Sequence, residues 1–106
     1  MNIREINYLE LNVVNLETAL RFYHEVFDLP IIDYGGKKAI KIGNKQIIAF
    51  NQTTKTIPTK IGMVTKDKYE NVTSHLANYG VEIISLTDEK IVVMDYDENM
   101  ITIEFI

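Results

Sequence analysis

The chain repeats itself. Tyr8-Leu9-Glu10-Leu11-Asn12-Val13 opens one unit, and Lys60-Ile61-Gly62-Met63-Val64-Thr65 opens another at an offset of 52 (60 − 8). The same shift carries Leu20 onto Val72, Leu29 onto Val81, Ile31 onto Ile83, Ile40 onto Val92 and Ile42 onto Met94. A fixed period constrains the fold before any single element is read, because both copies must adopt one supersecondary unit. Neither copy is expected to stand alone, since each sheet needs its apolar face covered by something else.

Each half reads in the same order. Ile6, Tyr8, Glu10 and Asn12 alternate with Asn7, Leu9, Leu11 and Val13, a period of two that predicts a strand with one apolar face. Asn15 is a good helix N-cap. Leu16, Ala19, Leu20, Tyr23, Val26 and Phe27 then recur at helical spacing, with Glu17 and Arg21 as an outward i,i+4 pair and Pro30 as the stop. Short strands are predicted at 31–34, 39–42 and 46–51, with Gly35-Gly36 and Gly43-Asn44 as turns. The polar stretch 53–59, with Pro58, reads as a linker. In the second half, Lys60–Val64 predicts a strand, and Asp67 with Glu70 predicts a capping box. Tyr69, Val72, Leu76 and Tyr79 form the helix stripe, Gly80 ends it, and strands follow at 81–86, 91–95 and 101–106. The expectation is a single α+β domain of two tandem βαβββ modules. Module one runs over about 1–52, the linker over 53–59 and module two over about 60–106, and a curved mixed sheet surrounds a cleft.

Bulk properties narrow the function. The 106 residues make one domain of ordinary size, and 46% are hydrophobic, which suits a buried core. No cysteine is present, so there is no disulfide framework, thiolate nucleophile or thiolate metal site. The net charge of −4 disfavours a nucleic-acid backbone as partner. Nothing approaches transmembrane length, and Met1–Glu5 lacks the apolar run of a signal peptide, so the expected location is the cytoplasm without membrane contact.

Three segments carry a family resemblance. The strand Ile6–Val13, followed by Asn15-Leu16-Glu17-Thr18-Ala19-Leu20-Arg21-Phe22-Tyr23, resembles the opening strand, cap and helix of the vicinal oxygen chelate superfamily. That superfamily includes glyoxalase I, extradiol dioxygenases, and fosfomycin- and bleomycin-resistance proteins. Phe27-Asp28-Leu29 resembles its helix-end pattern, usually Leu-Gly-Leu. Asp95-Tyr96-Asp97-Glu98-Asn99 resembles its Asp-Pro-Asp-Gly-Asn turn, with Tyr96 for Pro and Glu98 for Gly. The resemblance covers essentially the whole chain and implies paired βαβββ modules around a cleft. In family enzymes that cleft holds a divalent metal, ligated by His on the first strand of a module and by His, Glu or Gln on the last.

Carried over residue by residue, the resemblance places the ligand positions on Tyr8, Lys60, Thr102 and, by the repeat offset, Phe50. None is an ordinary ligand for such a metal. An ammonium at Lys60 about 4 Å from a dication would be repelled by roughly 8 kcal/mol at an effective dielectric near 20, twice the unit-charge value. A two-residue insertion in the last strand would instead put Glu104 at the ligand position, facing Glu10 as a second carboxylate. Glu10 and Glu104 are then the only catalytic candidates, through split pKa values. The plainer reading pairs one of them with Lys60 and leaves the other solvated.

The remaining signals are structural. His24 and His75 fall on helices away from the cleft strands, and no nucleophile is spaced to make a triad. Asp95–Asn99 fails as a calcium loop, with Met100 where Gly is needed and Ile106 where Glu is needed. Gly35-Gly36 lacks the partners of a phosphate loop. Three functions follow in order. The first is a metal-independent, cofactor-free binding protein in which Tyr8, Tyr34 and Phe50 enclose a small molecule while Glu10, Asn12, Lys60, Thr102 and Glu104 orient it. The second is a divalent-metal lyase, isomerase or dioxygenase with an atypical site. The third is an interaction module with a self-filled cleft. The resemblance and the exposed sheet edges also imply a homodimer.

Overall fold

The computed structural model describes all 106 residues. Two helices and eight strands form two modules of identical topology. Module one comprises β1 (Tyr8–Val13), α1 (Leu16–Val26), β2 (Ile31–Tyr34), β3 (Lys37–Ile42) and β4 (Gln46–Gln52). Module two comprises β5 (Lys60–Thr65), α2 (Tyr69–Asn78), β6 (Glu82–Leu86), β7 (Lys90–Met94) and β8 (Met100–Phe105). The sheets have the orders β1-β4-β3-β2 and β5-β8-β7-β6, with the first pair parallel and the others antiparallel. They are two separate sheets rather than one continuous one, and β1 and β5 are left as open edges.

Local chemistry accounts for most boundaries. Asn15 caps α1, its side-chain oxygen accepting from Thr18 N–H at 3.0 Å. The helix ends at Val26, before Pro30, because Asp28 turns to φ 56°. Gly35 and Gly36, at φ 60° and 84°, make the two-residue turn that a right-twisted hairpin needs. Three expectations fail. The first strand starts at Tyr8, leaving Ile6 exposed. The outward pair on α1 is Arg21–Glu25 at 3.6 Å rather than Glu17–Arg21. The residue that caps α2 is Lys68, without any side-chain bond. Asp67 lies one residue too early to cap, and its own N–H donates to Thr65 Oγ1 at 3.1 Å.

One core joins the modules. Leu11, Val13, Ile40, Ile48 and Phe50 of the first sheet meet α1, and Ile91, Val93, Ile101 and Ile103 of the second sheet join the same cluster. A buried polar joint lies beside it. Asp95 accepts from Tyr23 Oη–H at 2.7 Å, from Asp97 N–H at 2.8 Å, and from the backbone and side-chain N–H of Asn99, each at 2.9 Å. Asp97 accepts from Val14 N–H at 2.8 Å, and Asn99 accepts from Thr59 N–H at 2.9 Å. The Asp95–Asn99 turn is thus the clasp between modules. Burial and the neighbouring Asp95 charge push the Tyr23 phenol far above its usual pKa. Burial also raises the Asp97 carboxyl, opposed by the Val14 bond.

The molecule is a flat body of 38 × 37 × 22 Å. Its radius of gyration is 14.0 Å, against about 13 Å for a compact chain of this length. Its accessible surface is 7352 Å², where about 6,100 Å² is usual for 12.2 kDa. Each sheet has one face on the core and helices, and the other open.

Candidate functional site

The open faces follow from strand register. Partners across a ladder share a face, and alternate residues change face. Tyr8 lies opposite Ile47, Glu10 opposite Ala49 and Asn12 opposite Asn51, so these six share the open face of module one. Tyr34 and Lys37 pair on the same face beyond β3. In a flat sheet, β1 and β2 would stand about 14 Å apart. The Tyr8 and Tyr34 rings nevertheless meet at 5.7 Å between centroids. The sheet curls toward this face, and the two rings lean across the hollow. Ala39 and Ile47 lie beneath them, at 1% and 9% exposure. Tyr8 donates to Glu10 Oε2 at 2.8 Å, and that bond, with some desolvation, raises the phenol pKa. Asn51 donates to Asn12 at 3.0 Å.

Module two presents a plainer face. Lys60 lies opposite Met100, Gly62 opposite Thr102 and Val64 opposite Glu104. Lys90 lies across Glu104 on the other side. Val64 is 64% exposed although apolar. No ion pair joins Lys60 to Glu10 or Glu104, the ion pairs of the chain being Arg21–Glu25 and Lys38–Asp33. Glu10 is engaged by Tyr8 instead. Glu10 and Glu104 belong to different sheets of one chain, and no bond joins them.

Register also corrects one site assignment. The first module pairs 8 with 47 and the second pairs 60 with 100, so the last strands are offset by 53 (100 − 47), one more than the first strands. The equivalent of Thr102 is therefore Ala49, not Phe50. Phe50 points to the opposite face, 7% exposed, and packs on Tyr23 at 5.5 Å. The ladder between β5 and β8 runs without interruption from Lys60–Met100 to Thr65–Phe105. Thr102 therefore lies opposite Gly62, and Glu104, opposite Val64, lies two residues further along the same face.

The donor set does not fit a divalent metal. The four positions carry a phenol already bonded to Glu10, a methyl group, an ammonium and a hydroxyl. No group of three or more His, Cys, Asp or Glu comes together elsewhere. His24 Nδ1 lies 2.7 Å from Leu29 O, and His75 Nε2 lies 2.7 Å from Val26 O, both remote from the open faces. A cavity of about 190 Å³ runs from Tyr8 and Ile47 to Ile61 and Gly62, too small for a drug-sized ligand within a single chain. Sequence reasoning missed Ala49 and Gly62, the small residues that leave each hollow open. No local pattern marks them, and only the register places them.

The family model for the Glyoxalase/Bleomycin resistance protein/Dioxygenase superfamily matches residues 5–105. Comparison with curated proteins finds no match. Among solved structures, a virulence protein from Salmonella typhimurium is similar at TM-score 0.89 and 24% identity, covering 99% of this chain and 98% of that one. A lactoylglutathione lyase from Agrobacterium tumefaciens is similar at TM-score 0.80 and 13% identity, with coverage of 99% and 96%. An antibiotic binding protein from a Streptomyces species is similar at TM-score 0.76 and 17% identity, with coverage of 99% and 98%. At these identities the likeness is one of fold.

Proposed function

We propose that this chain, which belongs to the glyoxalase/bleomycin resistance protein/dioxygenase superfamily, is a metal-independent protein that binds and sequesters a small molecule. The observation that carries the reading is the donor set: Tyr8, Ala49, Lys60 and Thr102 occupy the positions to which the family resemblance and the strand register carry the imidazole and carboxylate ligands of family enzymes. What remains suits enclosure, namely two tyrosines over a floor of Ala39, Ala49 and Ile47, with Glu10, Asn12, Lys60, Thr102 and Glu104 as polar points. The antibiotic binding protein of the same fold supports this class of function.

Each chain offers two open half-sites, and a second copy would close them. The surface in excess of a compact monomer, roughly 1,300 Å², exceeds the 800 Å² or so that each partner buries in a standard interface. The open edges β1 and β5 would be covered in the same step. Sedimentation should give twice the 12.2 kDa of one chain, and a monomer mass at micromolar concentration contradicts the arrangement.

A thermal-shift screen of antibiotics and aromatic metabolites, run with a chelator present, tests the function. A compound that binds at 100-fold its Kd should raise Tm by more than about 5 °C. Tyr34→Ala should abolish that shift without unfolding the protein. Binding that appears only on adding a divalent cation would overturn the reading.

A further inference from the structure

A larger hollow lies between the modules and adjoins the smaller cavity beside Tyr8, with Ile42, Gln46, Gly62 and Met63 lining both. It occupies about 670 Å³ between the end of α1 and the span from β5 to α2. Its walls are apolar: Val26, Phe27 and Leu29 from module one, and Met63, Val72 and Leu76 from module two. It exists because α2 covers its sheet loosely. Leu76 is the one buried residue of that helix, whereas α1 buries five. The size falls within the range of small-molecule sites, and nine of the sixteen lining residues are apolar.

The polar groups have a consistent character. Asp28 and Asp67 stand on the rim, and neither carboxylate accepts a hydrogen bond or joins an ion pair within the chain. Asn71, Gln46, Thr65 and His75 complete the polar lining, and no lysine or arginine contributes to it. His75 is already held by its 2.7 Å bond to Val26 O. A ligand therefore meets an apolar wall and two unneutralised negative charges. We infer that this groove between the modules, which meets the open face of module two along β5, is a second binding site for an apolar or aromatic molecule carrying a basic amine.

The test uses the full chain and three naphthalenes that differ only in their side group: 1-naphthylmethylamine, 1-naphthalenemethanol and 1-naphthylacetate. Backbone amide NMR shifts follow each titration. The amine should bind saturably, with shifts at Asn71, Val72 and Leu76, and at least about fivefold more tightly than the carboxylate, as expected for a partly exposed charge pair. Asp28→Asn with Asp67→Asn should weaken the amine about fivefold and erase the preference. Asparagine tolerates the φ of 56° at position 28, so melting should not change. Val72→Trp should block all three ligands. Equal affinity for amine and carboxylate would overturn the inference, and so would no binding at all. Shifts confined to Tyr8 and Tyr34 would also overturn it, while leaving the open-face reading intact.

Discussion

The two modules share a topology and differ in how their helices are held. Helix α1 has a side-chain cap at Asn15 and buries Ala19, Leu20, Phe22, Tyr23 and Val26. Helix α2 has no side-chain cap and buries Leu76 alone. The first module also reaches into the second, through Tyr23 to Asp95 and through Val14 to Asp97. In the other direction the second module reaches back through His75 to Val26 O and, more weakly, through the Asn99 amide to Asn12 O at 3.4 Å. A duplicated unit thus keeps its strands, whose pairing needs only alternation, while one helix becomes the anchor of the joint. The other is left free to stand off its sheet. The groove is the consequence of that freedom, and local opening should concentrate there.

Removing packing from each helix breaks the comparison most directly. Phe22 touches Tyr23, Phe27 and Tyr96 with centroids 5.3, 5.8 and 5.3 Å away. Phe22→Ala should cost about 4 kcal/mol in urea unfolding, and Val72→Ala on the half-buried stripe of α2 only about 1 kcal/mol. Equal losses would mean that the helices are equally held. Next comes the joint. Asp95→Ala strands the Tyr23 hydroxyl and the Asn99 amide in the core and should cost about 3 kcal/mol. A loss below about 0.5 kcal/mol would show that the modules cohere by apolar contact alone.

Asp97 sharpens the picture through pH. Its folded carboxyl titrates above its ordinary value, so the folded state holds the proton more tightly than the unfolded chain does. The associated stability is complete below that ordinary value and is lost as pH rises through the raised one. Asp97→Asn keeps an acceptor for Val14 N–H and removes the charge beside Asp95. It should match or slightly exceed the parent at pH 7 and flatten this stretch of the stability profile. Asp97→Ala should cost about 1–2 kcal/mol at every pH. A profile unchanged by Asp97→Asn would assign the titration to another group. The smallest effects lie at the caps: Asn15→Ala should cost about 1 kcal/mol, while Lys68→Asp, on an extended backbone suited to an N-cap, should gain about 0.5 kcal/mol. Amide exchange in α2 should slow in the second variant if fraying of that helix opens the groove.

The repeat made the order of elements legible, because Tyr8–Val13 and Lys60–Thr65 could be laid on each other without any structure. Asn15 and Gly35-Gly36 were legible for the same reason, each acting within a few residues of itself. The joint was not. Tyr23 lies 72 residues from Asp95, and Val14 lies 83 from Asp97, so no periodicity links them. The site was legible by half. Tyr8, Glu10, Asn12 and Tyr34 converge on one curled face, whereas Phe50 was placed wrongly because one extra residue enters module two before β8. A period of two sends every side chain to the opposite face for such a slip. Asp67 failed for a similar reason, lying one residue ahead of the cap position.

The central claim is that the open faces hold a molecule without a metal, and metal content tests it most directly. The protein is incubated with excess Zn²⁺, Mn²⁺, Fe²⁺ and Ni²⁺, desalted and analysed by plasma mass spectrometry, alongside Glu104→Gln. The donor set predicts well under one equivalent of any of these metals, with no difference between the two proteins. One equivalent retained by the parent and lost in Glu104→Gln would contradict the account and point to dicarbonyl and catechol substrates instead.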